Sequence, residues 1–194
     1  MTSPVAVSPV DLLTSRYSLG VKHLAEPGPD AAALAQMVAA ALKAPDHAEL
    51  APFRFRVIRG AARDQLAELF AAAARASGKD ETGARLDADR ARRAPVSVAV
   101  IARIDLGHPL VPAHEQWIAV GGALTNFLNA AHALGFAGKM LSGAKVRDPM
   151  LSRAFCGPGE TLVGWIALGT ATRPPGTRAT KLAASEVWSD WSGA

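Results

Sequence analysis

Cysteine is almost missing from this 194-residue chain: Cys156 stands alone, so no intrachain disulfide framework is available and the thiol usage suits a reducing compartment. Charge of one sign is not concentrated either. The 21 Lys and Arg stand against 17 Asp and Glu, a formal net charge of +4 with a pI of about 9.6, and so mild an excess fits an anionic small ligand as well as nucleic acid. Residues 1–9 carry no basic, apolar leader and read as a polar lead-in rather than a signal peptide. No apolar run is long and unbroken: the most hydrophobic stretch, 117–134, is interrupted by Gly121, Gly122, Asn126, Asn129 and His132, and reads as a core helix rather than a membrane span.

Several chemical signatures are also lacking. Neither the dinucleotide-binding glycine pattern nor the P-loop occurs, and the pairs Gly135/Gly138 and Gly157/Gly159 read as caps and turns. No serine nucleophile elbow is found, and Cys156 has no local activator. His108, with His114 and Glu115, is the best metal-ligand candidate, but no further ligand stands nearby to complete a site and a solvated loop His is the commoner case, so no metal is expected. What is present is a chain of 20.1 kDa, 49% hydrophobic, long enough to bury roughly 70% of its unfolded surface in one domain spanning 1–194.

The local patterns order themselves into helices and strands. Ser8-Pro9-Val10-Asp11 predicts a capped helix over 9–15, and Asp30 caps a second in which Leu34, Met37, Val38 and Ala41 recur at helical spacing until Pro45 ends it. Phe53, Phe55 and Val57 alternate with Arg54, Arg56 and Ile58 as in a half-buried strand. A helix follows over 61–76. The polar, charged segment 79–93 predicts an exposed helix or mobile cover, with little apolar surface to pin it. Residues 96–102 form a continuous Val-rich run expected of a strand covered on both faces. A long helix is expected over 112–134, a brief strand over 136–141, a short helix from Asp148-Pro149 and a last strand over 161–168. The tail over 171–194 is too apolar at Val187, Trp188 and Trp191 to be left in solvent, and is expected to lie on another subunit.

Cations and hydrogen-bonding groups gather near element ends: Arg16, Ser18, Lys43, His47, Ser142, Arg173 and Arg178. Together they can meet the phosphate and polar edges of one anionic cofactor, Arg by bidentate contacts and Lys as a point charge. The motifs Leu12-Leu13-Thr14-Ser15-Arg16-Tyr17-Ser18, Leu24-Ala25-Glu26-Pro27 and Ala44-Pro45-Asp46-His47 with Pro52-Phe53 resemble the small nitroreductase family, in its YdjA-like branch. His114-Glu115-Gln116, Leu134-Gly135-Phe136, Ser142-Gly143-Ala144 and Leu168-Gly169-Thr170 follow in the same order, so the resemblance covers roughly 10–170.

That resemblance implies an α+β fold, a three-layer sandwich with a central mixed β-sheet flanked by helices, and a homodimer that exchanges its C-terminal tails and holds FMN at the subunit interface. It implies a cytoplasmic flavoprotein oxidoreductase in which FMN carries the hydride chemistry from NADH or NADPH to a nitroaromatic, quinone or similar acceptor, with no catalytic side chain required. Carried over residue by residue, the cofactor contacts would be Arg16, Tyr17, Ser18, Lys43, His47, Met140, Leu141 and Ser142, with Arg173 and Arg178 added by their charge. Nicotinamide contacts would be Ala130, Ala131, His132, Ala133, Leu134 and Gly135. Tyr17 and Lys43 stand where the family usually has Arg, and Met140-Leu141 replaces a Trp-Arg pair. Losing that guanidinium removes a charge-assisted contact worth about 1.5 to 3 kcal/mol, and Lys139 is the nearest cation to compensate. A flavin or nucleotide binder without turnover is the alternative. A nucleic-acid module resting on Arg54, Arg56, Arg59 and Arg63 and on the region 85–93 ranks last, because alternating Arg on a strand is usually its solvated face and no aromatics are interleaved there.

Overall fold

The computed structural model describes residues 8–174 and 182–193. Their elements are α1 (Pro9–Ser15), β1 (Leu24–Ala25), α2 (Ala31–Ala41), β2 (Phe53–Ile58), α3 (Ala62–Ala76), α4 (Glu81–Arg93), β3 (Val96–Ala102), α5 (Ala113–Ala133), β4 (Ala137–Leu141), α6 (Pro149–Phe155) and β5 (Thr161–Ala171), with short 3-10 turns between some of them. The predicted caps are in place. Ser8 accepts from the Val10 N–H at 3.2 Å and Asp30 from the Ala33 N–H at 2.8 Å, each meeting a donor that the first helical turn leaves unpaired.

The strands form one sheet in the order β1-β5-β3-β2, with β4 on the other edge of β5 and every strand pair antiparallel. The sheet is mixed only through an isolated parallel bridge between Ser18 and Gly138, which lays the chain before β1 along the outer edge of β4. Strand β3 is buried along its whole length, and its period of two divides the core. Val96, Val98 and Val100 meet α2 and α5 through Leu34, Met37 and Phe127. Ala99 and Ile101 share a core with α3, α4 and α6 through Leu66, Phe70, Ala88, Leu151 and Phe155. These are the three layers: helices, sheet, helices.

Two expectations need correction. Of the two readings of segment 79–93 the helix is the one that forms, as α4, but it is pinned to the domain more firmly than expected: it buries Ala84, Ala88 and Ala91 together with the carboxylate of Asp87 and leaves its other face exposed. Helix α5 is buried along one side only, through Ala119, Val120, Ala123, Phe127 and Leu128, while Trp117, Ile118 and Gly121 on the opposite side are exposed. In β2 the alternation breaks at its end, where Ile58 turns under α3 and Val57, near the sheet margin, lies exposed. Gly164 in β5 has φ +153°, and a Cβ there would stand 2.3 Å from the Leu141 carbonyl oxygen. Only glycine lets β4 approach β5 at this point, beside the register shift between Val100 and Ile101.

Candidate functional site

The chain leaving α1 turns extended at Arg16 and runs along β4, where the Leu19 N–H donates to the Gly138 carbonyl at 3.3 Å. On the α5 side of this crossing lies a cleft of about 270 Å³ lined by Arg16, Tyr17, His132, Gly135, Phe136 and Gly138 among others. His132 Nε2 is 3.1 Å from Ser15 Oγ, and the Tyr17 ring meets the imidazole edge-on at 6.3 Å between centroids. Arg16 is half-buried and has no ion-pair partner among the described residues. A guanidinium so placed is a ready contact for an anionic ligand group.

On the α3/α4 side lies a second cavity of about 280 Å³, lined by Val21, Phe70, Leu141, Ser142, Lys145 and Trp165 among others. Segment 16–21 therefore joins two spaces, Arg16 and Tyr17 in one and Val21 in the other. Ser142 Oγ donates to the Val163 carbonyl at 3.0 Å, fixing the turn after β4. Ser18 is exposed at the crossing itself.

Lys43 and His47 are elsewhere. Both are exposed at the end of α2, and His47 Nδ1 is 2.7 Å from Glu115 Oε2 in the first turn of α5. Asp46 holds this loop by accepting from the Ala51 N–H at 2.7 Å. His47 stands at the N-terminal end of α5 and His132 at its C-terminal end, and a helix of 21 residues separates its ends by about 30 Å. One chain does not bring the two groups together.

The other predicted contacts divide as well. Met140 packs against the α2/α5 core, so its side chain is occupied. Of the nicotinamide block, His132 and Gly135 line the cleft, Ala131 is buried beneath it, Ala130 packs on the core, and Ala133 and Leu134 face solvent; a helical repeat cannot turn consecutive residues to one ligand. Arg173 is exposed just past β5, near His23, and Arg178 lies outside the described residues. His108 is engaged otherwise than as a ligand, its Nδ1 accepting from the Val111 N–H at 2.9 Å. Burial pushes the Cys156 thiol up, away from the reactive thiolate. Arg54 is tied to Glu160 and to the Phe155 carbonyl, and Arg63 to the Arg92 carbonyl, which removes two members from the basic stripe.

Comparison with known proteins settles the family. The sequence profile of the Nitroreductase family matches residues 13–170. The chain belongs to the nitroreductase family. Within that family it is 34% identical over 162 residues to the Escherichia coli (strain K12) protein named "Putative NAD(P)H nitroreductase YdjA", covering 83% of this chain and 87% of that one. A Haemophilus influenzae relative is also 34% identical, over 82% of this chain and 86% of its own length. This nitroreductase-family fold superimposes on a nitroreductase-like protein from Bacillus cereus with a TM-score of 0.83 at 19% identity, covering 100% of both chains. It also superimposes, at a TM-score of 0.71, 20% identity and 100% coverage of both chains, on a Desulfovibrio desulfuricans protein solved in complex with FMN.

Sequence reasoning missed Asp87, Lys145 and Trp165, and it named Asp46 and Glu115 only as motif members, Glu115 also as a metal-ligand candidate, not as the partners that hold the His47 loop. Glu115 lies 68 positions from His47 and Lys145 58 from Asp87. Separations of that size leave no local pattern; only the fold pairs them.

Proposed function

We propose that this chain is an FMN-dependent NAD(P)H oxidoreductase working as a homodimer in the cytoplasm, where the NAD(P)H pool is. The observation that carries the reading is the pair of spaces joined by segment 16–21. Arg16, half-buried and free of an ion-pair partner among the described residues, borders one of them; Lys145 and Ser142 border the other, beside the apolar wall of Leu66 and Phe70. Such groups fit a ligand that is anionic at one end and presents ring acceptors at the other. Bound FMN would supply the redox chemistry, taking hydride from NAD(P)H and passing electrons to a nitroaromatic, quinone or similar acceptor. The chain's own task is to hold and orient: Arg16 and Ser18 toward phosphate, Ser142 and its neighbours at the ring.

The homodimer reading rests on the division of the site along α5. A second copy with α5 packed antiparallel would carry its His47 and Lys43 to the Arg16 end of the first. Gly121, mid-helix and exposed with no atom near its missing Cβ, is worth about 1 kcal/mol less than Ala to an isolated helix; a closely approaching partner gives it a use. Trp117 and Ile118 beside it, and Val187, Trp188 and Trp191 in the tail, are exposed apolar surface that a partner would cover. Among the described residues no helix is long and apolar enough to cross a membrane.

The test is an absorbance spectrum of the purified protein, before and after FMN and then NADPH or NADH under anaerobic conditions. Flavin bands that bleach on nicotinamide addition are the expected result. Bound flavin that resists reduction would leave a flavin binder without turnover, and no uptake at all would overturn the reading. In Arg16→Ala, FMN affinity should fall about tenfold to a hundredfold with the dimer intact, and unchanged occupancy would remove Arg16 from the site.

A further inference from the structure

On the α3/α4 side of the sheet a buried charge cluster borders the second cavity. Asp87 is 3% exposed, and its Oδ2 accepts from Lys79 Nζ at 2.8 Å and from Lys145 Nζ at 2.6 Å, with Arg90 Nη1 3.5 Å from Oδ1. Burial pushes the Asp87 carboxyl up, but the hydrogen bonds from Lys145 and Lys79 outweigh it and the net direction is down. It is an anion, and the cations around it exceed it in charge. Lys145 and Arg90 both line the cavity, whereas Lys79, on the same carboxylate oxygen as Lys145, does not; Arg90 is the more exposed and the more loosely held of the two, at 3.5 Å from Asp87 against 2.6 Å for Lys145. An ammonium has three N–H donors, so Asp87 leaves Lys145 with donors to spare while fixing where they are. Its Nζ also lies 5.1 Å from the Phe70 ring centroid, a second restraint on its position.

Trp165, 3% exposed, forms part of the cavity wall, with its Nε1–H sealed in the packing and not open to the cavity. Leu66, Phe70 and Ala91 supply apolar wall, which suits a flat ring better than a phosphate. Leu141, at the same cavity, is the position where the resemblance leads one to expect Arg.

Resting on the FMN reading above, we propose that Lys145, held by Asp87, is the cation at the flavin ring in this chain, in place of the guanidinium that Leu141 does not supply. Asp87 is then a positioning residue. A cation beside the ring favours the reduced form, which carries more negative charge than the oxidised form.

The experiment measures FMN dissociation and the two-electron potential of the bound flavin in wild type, Lys145→Met and Lys79→Met. Lys145→Met should raise the dissociation constant about tenfold to a hundredfold and lower the potential, by about 30 mV for each tenfold by which the reduced form is weakened more than the oxidised form. Lys79→Met breaks the same Asp87 pair outside the cavity, so it should lose folding stability and keep wild-type affinity and potential. Adding Leu141→Arg to Lys145→Met should recover affinity. Wild-type affinity and potential in Lys145→Met would overturn the proposal, as would equal loosening by Lys79→Met, which would make the cluster purely structural. Failure of the wild type itself to take up FMN would instead overturn the FMN reading.

Discussion

Ala48 has φ 61°, Glu49 52° and Ala51 45°, three side-chain-bearing residues in the left-handed region within one short loop. Each such residue costs about 1–2 kcal/mol, and the loop keeps them because Asp46 accepts from the Glu49 N–H with its carbonyl at 3.1 Å and from the Ala51 N–H with its carboxylate. The product is a His47 presented outward to Glu115. Relieving one strained residue should therefore stabilise: Ala48→Gly should gain about 0.5–1 kcal/mol, the left-handed penalty less the extra chain entropy of glycine. Urea unfolding checks this, and a lower midpoint would mean that Ala48 is not strained. The motif Ala44-Pro45-Asp46-His47 was legible in the sequence as a loop after a helix, since Pro45 ends α2. Its backbone strain was not, because Ala and Glu carry no signature of positive φ.

Among the elements, β2 is fastened to the turn between α6 and β5 by one residue pair. Arg54 Nε donates to Glu160 Oε1 at 2.6 Å, Arg54 Nη2 to the Phe155 carbonyl at 2.8 Å, and the Gly157 N–H to Glu160 Oε2 at 2.7 Å. The hydrogen bond from Arg54, then that from Gly157, holds the Glu160 carboxyl at about 2, well below its ordinary 4.5. A depressed acid stabilises the fold above its unfolded value and loses that contribution as it is protonated. Stability should accordingly fall as pH drops from about 4.5 toward 2, and Glu160→Gln should flatten this slope in denaturant midpoints measured across that window. An unchanged slope would assign the acid sensitivity to another carboxylate. The same pair shows where sequence patterning runs out, since alternation places Arg54 on a solvent-facing side, and its partner is 106 positions away. Helix α4 teaches the same lesson. Its buried face is Ala84, Ala88 and Ala91 around a charged Asp87, a pattern that scores as polar although α3 and two lysines hold it in place. Where large apolar residues carried the period, as in α2, α3 and β3, element and inward face were both legible.

At the scale of the whole molecule, the residues assigned to one cofactor occupy two ends of one long helix. Local motifs nominate the residues, but the geometry of a single chain does not assemble them, and the proposed two-fold partner would do so by crossing the two α5 helices. The arrangement has a consequence that no single-chain site shares. If Arg16 of one protomer and His47 of the other meet the same FMN, a hybrid of Arg16→Ala and His47→Ala subunits contains one site with both changes and one with neither. Mixing the two impaired variants under conditions that exchange subunits should restore NAD(P)H oxidation, up to half the wild-type rate per hybrid dimer, while each homodimer stays impaired. With both residues serving a site inside one chain, every site in the hybrid would carry one lesion and no activity would return. Coexpression of the two subunits with different affinity tags, followed by sequential purification of the hybrid, makes the comparison direct.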